Sequence, residues 1–157
     1  MTDIEQLGQI GEHIVAETFE SLGLQVVLSE NKYDSIKDML IEGQTAEVKT
    51  FTLIKKNKSF CMEQNQWRKL DNVERLFFVE IPDYPQPINV YEAITKKYFT
   101  DSFSNGIIKR FYPKADMRRV RVIDDQDLAA TMRNLTHSDY IKRGPNDRRA
   151  CFRYNPS

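Results

Sequence analysis

Two cysteines in 157 residues are too few for a disulfide framework, and Cys61 and Cys151 stand in no metal-ligand spacing. They read as reduced thiols. No apolar run approaches the ~20 residues that a membrane-spanning helix needs. Met1-Thr2-Asp3-Ile4-Glu5 has neither the basic nor the apolar region of a signal peptide, so a cytoplasmic chain with no membrane partner is expected. Histidine is scarce as well: His13 and His137 stand alone, and neither is given a catalytic role. There is no internal repeat and no low-complexity tract. Net charge is zero, which by itself excludes no class of partner. What remains, 40% hydrophobic and 29% charged residues, is the composition of an ordinary globular domain with enough chain to bury a core.

The charges are unevenly spread. Residues 1–54 carry three lysines against ten acids, and the remaining residues carry 20 basic against 13 acidic side chains. An acidic half holding a metal and a basic half holding phosphates would give this split, as would unrelated solvated surfaces.

Along the chain, Ile4, Leu7, Ile10, Ile14, Thr18 and Leu22 recur at helical spacing, with Val15 and Phe19 widening the stripe, and predict a first helix over 3–22. Thr2 or Asp3 can cap its start and Gly23 can stop it. Glu12 and Glu17 flank the stripe on opposite sides, where either could reach the edge of a sheet packed beneath. Residues 24–28 read as a strand and 29–37 as a polar loop containing Asp34 and Ser35. A hairpin over 38–51 follows, then a lysine-rich loop over 51–59 in which Lys55, Lys56 and Lys58 could grip a phosphate backbone. Residues 60–71 predict a helix centred on Gln64-Asn65-Gln66-Trp67-Arg68-Lys69-Leu70, with Trp67 and Leu70 inward. Arg75-Leu76-Phe77-Phe78-Val79-Glu80-Ile81 is the clearest strand, apolar on both faces as a doubly covered strand should be. Further strands are expected at 88–94, 107–112 and 118–123, and a helix at 124–135. The expected organisation is a single domain over 1–135, its core over 3–81, followed by a basic tail over 136–157. That tail could be a DNA-contacting arm, a segment exchanged in a dimer, or a frayed end, the last being preferred.

The chemistry concentrates in the hairpin. Asp38 leads its first strand; Glu47 and Lys49 lie two apart on its second and therefore share a face, with Val48 on the other. Two carboxylates and an ammonium converging at a sheet edge can hold a hard divalent cation beside a charge-stabilising lysine.

The order helix, strand, hairpin carrying Asp38 and Glu47-Val48-Lys49, helix, strand resembles the core of the PD-(D/E)XK nuclease superfamily. The eight residues between Asp38 and Glu47 suit a tight hairpin, and Lys37 stands where the name has proline. Gly8-x-x-x-Glu12 is similar to the first helix of small archaeal-type Holliday junction resolvases, in which a helical glutamate completes the metal site. The resemblance spans about residues 7–81. It implies an α/β, restriction-endonuclease-like mixed central sheet flanked by helices. It also implies a Mg²⁺ site (Mn²⁺ as substitute) held by Asp38, Glu47 and the Val48 carbonyl, with Glu12 preferred to Glu17 as a further ligand. Lys49 would hold the attacking water or the phosphate. Gln64, with Gln66 as the alternative, stands where some relatives place a phosphate-binding glutamine.

Three functions fit these residues. The first is a structure-selective endonuclease, a homodimer resolving branched DNA, since a twofold dimer supplies two sites for two symmetric cuts. The second is a restriction- or repair-type nuclease on linear or damaged DNA. The third, a non-catalytic DNA-binding protein, is disfavoured because acids without a metal repel phosphate.

Overall fold

The computed structural model describes residues 3–29, 38–52, 58–68, 70–82, 86–102 and 106–124. The chain runs through helix α1 (Asp3–Glu20), strands β1 (Val26–Leu28), β2 (Met39–Ile41), β3 (Gln44–Phe51) and β4 (Ser59–Glu63), and the single-turn helix α2 (Gln64–Trp67). It continues through β5 (Arg75–Glu80), β6 (Ile88–Glu92), β7 (Phe99–Ser102), β8 (Ile108–Pro113) and β9 (Arg118–Ile123), with 3₁₀ turns at Leu70–Asn72 and Lys114–Asp116. No helix among the described residues is long and apolar enough to cross a membrane.

A six-stranded mixed sheet, ordered β1-β2-β3-β5-β6-β9, forms the centre. All its pairings are antiparallel except β3 with β5. Because parallel neighbours need a crossover, the chain leaves the sheet between β3 and β5. That excursion contains β4 and α2, and β4 joins β8 and β7 in a separate three-stranded sheet ordered β4-β8-β7.

The central sheet is covered on both faces by different things. Ile10, Ile14, Val15 and Phe19 of α1 bury against Met39, Ile41, Ala46, Val48, Phe77 and Val79. On the opposite face, Leu76 and Phe78 meet Phe60 and Met62 of β4 and Tyr112 of β8. Phe60 stacks on Phe78 with ring centroids 4.7 Å apart. Thus β5 sends Phe77 and Val79 to one core and Leu76 and Phe78 to the other. This accounts for its uninterrupted apolar run; each such side chain is worth about 1.5–3 kcal/mol of burial.

Several expectations change. The α/β mixed sheet is present, but among the described residues only α1 packs on it as a substantial helix, and the opposite face is covered by the three-stranded sheet. Residues 60–71 do not make a helix of that length: Phe60 and Met62 are the inward residues of β4, and the helix is one turn at Gln64–Trp67. Trp67 and Leu70 do pack inward. Strand β7 was not expected at all. The first helix ends at Glu20 rather than 22, so Leu22 lies beyond the stripe and is 70% exposed. Gly23 provides the stop, with φ 83° and its N–H donating to Glu20 O at 2.9 Å, while the Leu24 N–H donates to Phe19 O at 3.1 Å. Only a residue tolerant of the left-handed conformation closes this paired C-cap cheaply. Strand β1 begins at Val26 rather than 24 and β6 ends at Glu92 rather than 94. The helix expected at 124–135 and the tail over 136–157 lie outside the described residues, except Asp124.

Candidate active site

The hairpin closes as the sequence implies. Glu42 and Gly43 both have positive φ, 47° and 79°, between paired residues Ile41 and Gln44. Two consecutive left-handed residues match the right-handed twist of the flanking strands. Register follows: Met39 pairs with Ala46, so Asp38 sits one residue beyond the last rung of β2, its N–H donating to Ala46 O at 2.9 Å. Strand β3 is much the longer partner and runs on to Phe51.

Beyond that last rung the Val48 N–H meets the Asp38 carboxylate, donating to Oδ2 at 2.8 Å. One oxygen of Asp38 is therefore fixed by the β3 backbone. In a strand the N–H and C=O of one residue lie on the same side, so the Val48 carbonyl faces the same open edge. Glu47 and Lys49 project together on the face opposite α1, with Lys49 Nζ 3.5 Å from Glu47 Oε1. Glu47 is almost fully buried, while about a quarter of the Lys49 side chain is exposed.

The fourth group comes from α1. The half-buried Glu12 carboxyl is hydrogen-bonded to that of Asp38. Burial, the Asp38 charge, that hydrogen bond and the Glu47 charge together push Glu12 up to about 8, with Lys49 opposing them only in part. At neutral pH Glu12 keeps its proton and lends it to Asp38. Glu17, the alternative on this helix, is ion-paired with Arg121 of β9, whose Nη1 also lies 3.0 Å from Thr18 Oγ1. Helix α1 thus turns Glu12 toward the hairpin acids and Glu17 toward the far edge of the sheet.

The remaining candidates do not join this group. Gln66 is consumed in a capping box, its Oε1 accepting the Glu63 N–H at 3.0 Å. Gln64 is exposed at the first position of α2. Lys58 is exposed, and Lys55, Lys56, Asp34 and Ser35 lie outside the described residues. His13 is half-buried, and burial pushes its imidazole below the usual range. Among the described residues, part of the positive charge of the second half is used internally. Arg75 forms a bidentate pair with Glu92 at 2.8 and 2.9 Å, Arg110 pairs with Asp71 at 2.8 and 3.0 Å, Lys114 pairs with Glu80, and Lys96 donates to the Val73 carbonyl.

Could the acids hold a cation? Their donor atoms are all oxygens of carboxylates and a carbonyl, the set that suits Mg²⁺ or Mn²⁺. Burial first, and then the neighbouring charges of Asp38 and Glu47, hold Glu12 above the usual carboxylate range, as in a site where buried acids outnumber bases. Among the described residues no three His, Cys, Asp or Glu side chains already stand as a ligating cluster. The residues fit such an ion in chemistry.

Sequence reasoning found the four converging side chains but missed the Val48 N–H anchor of Asp38. The register could have supplied it, since an acid one residue past the end of a short strand faces the unpaired edge of a longer one. No protein-family model, no curated protein and no solved structure matches the chain.

Proposed function

We propose that this protein is a divalent-cation-dependent endodeoxyribonuclease of the PD-(D/E)XK type, on a restriction-endonuclease-like core. The observation that carries this reading is the meeting of Glu12, Asp38, Glu47 and Lys49, contributed by a helix, the end of one strand and the middle of another. Three acids gathered around one lysine oppose folding, and a cation-dependent reaction gives them a use.

Phosphodiester hydrolysis requires a positioned water and relief of negative charge as the phosphorane-like transition state forms. A bound Mg²⁺ would supply that charge relief and a more acidic water. Asp38 and Glu47, with the Val48 carbonyl, would hold the ion, and the Val48 N–H keeps Asp38 aimed at the edge. Lys49, beside Glu47, offers its N–H donors to a water or a phosphate oxygen at the exposed end of its side chain. Glu12, once its proton had passed to solvent, would add a carboxylate to the site and could accept a hydrogen bond from a water. The preferred substrate is branched DNA cut by a homodimer; linear or damaged duplex is the alternative.

The test is incubation with a four-way junction, matched linear duplexes and single strands, in Mg²⁺ or EDTA, alongside Asp38→Ala and Lys49→Ala. Mg²⁺-dependent cutting that both substitutions abolish is expected. Cutting that survives both would sink the site, and cutting of duplex but not junction would sink the resolvase preference.

A further inference from the structure

Helix α1 carries two glycines before Glu12, and they do different things. Gly8, the glycine of the Gly8-x-x-x-Glu12 pattern, has open space where a side chain would grow. Gly11 has none: a methyl there would overlap Thr50 Oγ1 and would also come within 3.1 Å of Thr50 Cβ and 3.3 Å of Cγ2. Helix and strand therefore touch through a bare Cα at this one place. Thr50 is branched at Cβ, so two of its heavy atoms guard the contact and rotation about χ1 offers little relief. Its Oγ1 is buried with no hydrogen-bond partner among the described residues, so the contact is one of shape rather than of bonding.

The two residues bracket the site. Gly11 precedes Glu12, and Thr50 follows Lys49 on β3. At Thr50 strand β3 is paired with Val79 of the central strand β5, so the helix is the freer of the two elements. If the contact widened, the helix would have to move, by roughly 1.5 Å to restore ordinary carbon–carbon separation. The Glu12 carboxyl would be drawn away from Asp38 by a similar amount.

We infer that the Gly11–Thr50 contact is a positioning device, setting the depth of α1 so that Glu12 reaches Asp38. The inference deepens the nuclease reading and rests on it for the role of Glu12, but the geometric part stands alone. Gly11 is a positioning residue; it touches neither ion nor substrate.

The experiment compares wild type, Gly8→Ala, Gly11→Ala and Gly11→Ala/Thr50→Ala. The second substitution of the double variant removes Oγ1 and Cγ2 and reopens the space. Folding is checked by urea unfolding, Mg²⁺ affinity by calorimetry, cleavage by single turnover, and the Glu12–Asp38 distance by crystallography. Gly8→Ala should match wild type throughout. Gly11→Ala should lose the Glu12–Asp38 contact, bind Mg²⁺ about tenfold more weakly and cut about 100-fold more slowly, the usual order for an ångström of misplacement. The double variant should regain the contact and most of the affinity and rate. If Gly11→Ala fails to fold, the double variant carries the test, since it should fold with the contact restored. The inference is overturned if Gly11→Ala keeps the Glu12–Asp38 contact, or if the folded double variant does not regain it. A wild type that neither binds Mg²⁺ nor cuts DNA would overturn the nuclease reading while the crystallographic comparison still decided the positioning.

Discussion

The molecule treats charge in two opposite ways. Around β6, β8 and the 3₁₀ turn after α2, acids and bases are matched. Glu92 takes both arms of Arg75, which also lies over the Phe19 and Phe77 rings at 4.8 and 5.2 Å. Arg110 grips Asp71 in the same manner while sandwiched between Trp67 and Tyr98 at 3.8 and 4.0 Å. At the β2–β3 edge, three acids share one lysine. The consequence is visible in two carboxyls of the same chemistry. Hydrogen bonding to Arg110 holds Asp71 below the usual carboxylate range, and burial among like charges lifts Glu12 to about 8. Matched charges serve the fold; unmatched ones cost stability, and on the proposed reading an ion and a substrate would supply the missing positive charge and its use.

The largest effect should come from the unmatched region and appear first in rate. Lys49→Met should lower single-turnover cleavage by about 10²–10³-fold, as expected when a donor to developing charge is removed. Urea unfolding of the same variant should also lose about 1–3 kcal/mol, because the buried Glu47 is left short of its counter-charge, so the rate is compared on the folded fraction.

Breaking the matched region should show in stability instead. Arg110→Ala removes a side chain 6% exposed, together with its stacking on two rings. Asp71 is more than half exposed, so the cost falls below that of a fully buried pair, at about 2–4 kcal/mol in urea unfolding. Mg²⁺ affinity of the folded fraction should stay at the wild-type value.

Glu12→Gln sharpens the contrast through pH. The folded-state value near 8 lies above the ordinary 4.5, so between these values the folded protein holds a proton that the unfolded chain has released. Metal-free stability should therefore fall as pH rises from 4.5 to 8. Glu12→Gln should flatten that decline and exceed wild type by the widest margin near pH 8, read by urea titration at several pH values. For Asp71 the sign is opposite: its contribution is complete above the usual carboxylate pKa and is lost as pH falls through its depressed value. The smallest change is expected from Glu17→Gln, which weakens a partly exposed pair with Arg121. It should cost at most about 1 kcal/mol and leave cleavage unaltered, separating Glu17 from Glu12.

The hairpin and its chemistry could be read in the sequence because their determinants are local. Glu42-Gly43 makes the turn, and a two-residue spacing puts Glu47 and Lys49 on one face wherever the strand goes. The strand over 75–80 was equally legible, because burial on both faces leaves no polar position to confuse the pattern. Strand β7 was not. Phe99, Thr100, Asp101 and Ser102 are all exposed, so no alternation marks them, and only pairing with β8 makes them a strand. In β4, Phe60 and Met62 do alternate, but the helical spacing of the downstream Trp67 and Leu70 competed with a signal only five residues long. The basic second half was legible as charge and illegible as use. Whether Arg110 faces a phosphate or Asp71 depends on a partner 39 positions away. The tight helix–strand contact was hidden for the same reason: Gly8 and Gly11 look alike until Thr50 is placed.

The most direct test is single-turnover cleavage of a four-way junction and a linear duplex in Mg²⁺ by wild type and by Asp38→Asn. That change keeps the shape of the side chain but removes the charge that would hold the ion. Mg²⁺-dependent cutting of at least one DNA by wild type, reduced about 10³-fold or more in a variant that unfolds at the wild-type urea midpoint or above, is the predicted result. Cleavage by Asp38→Asn at the wild-type rate, or no cleavage of either DNA by wild type, would contradict it.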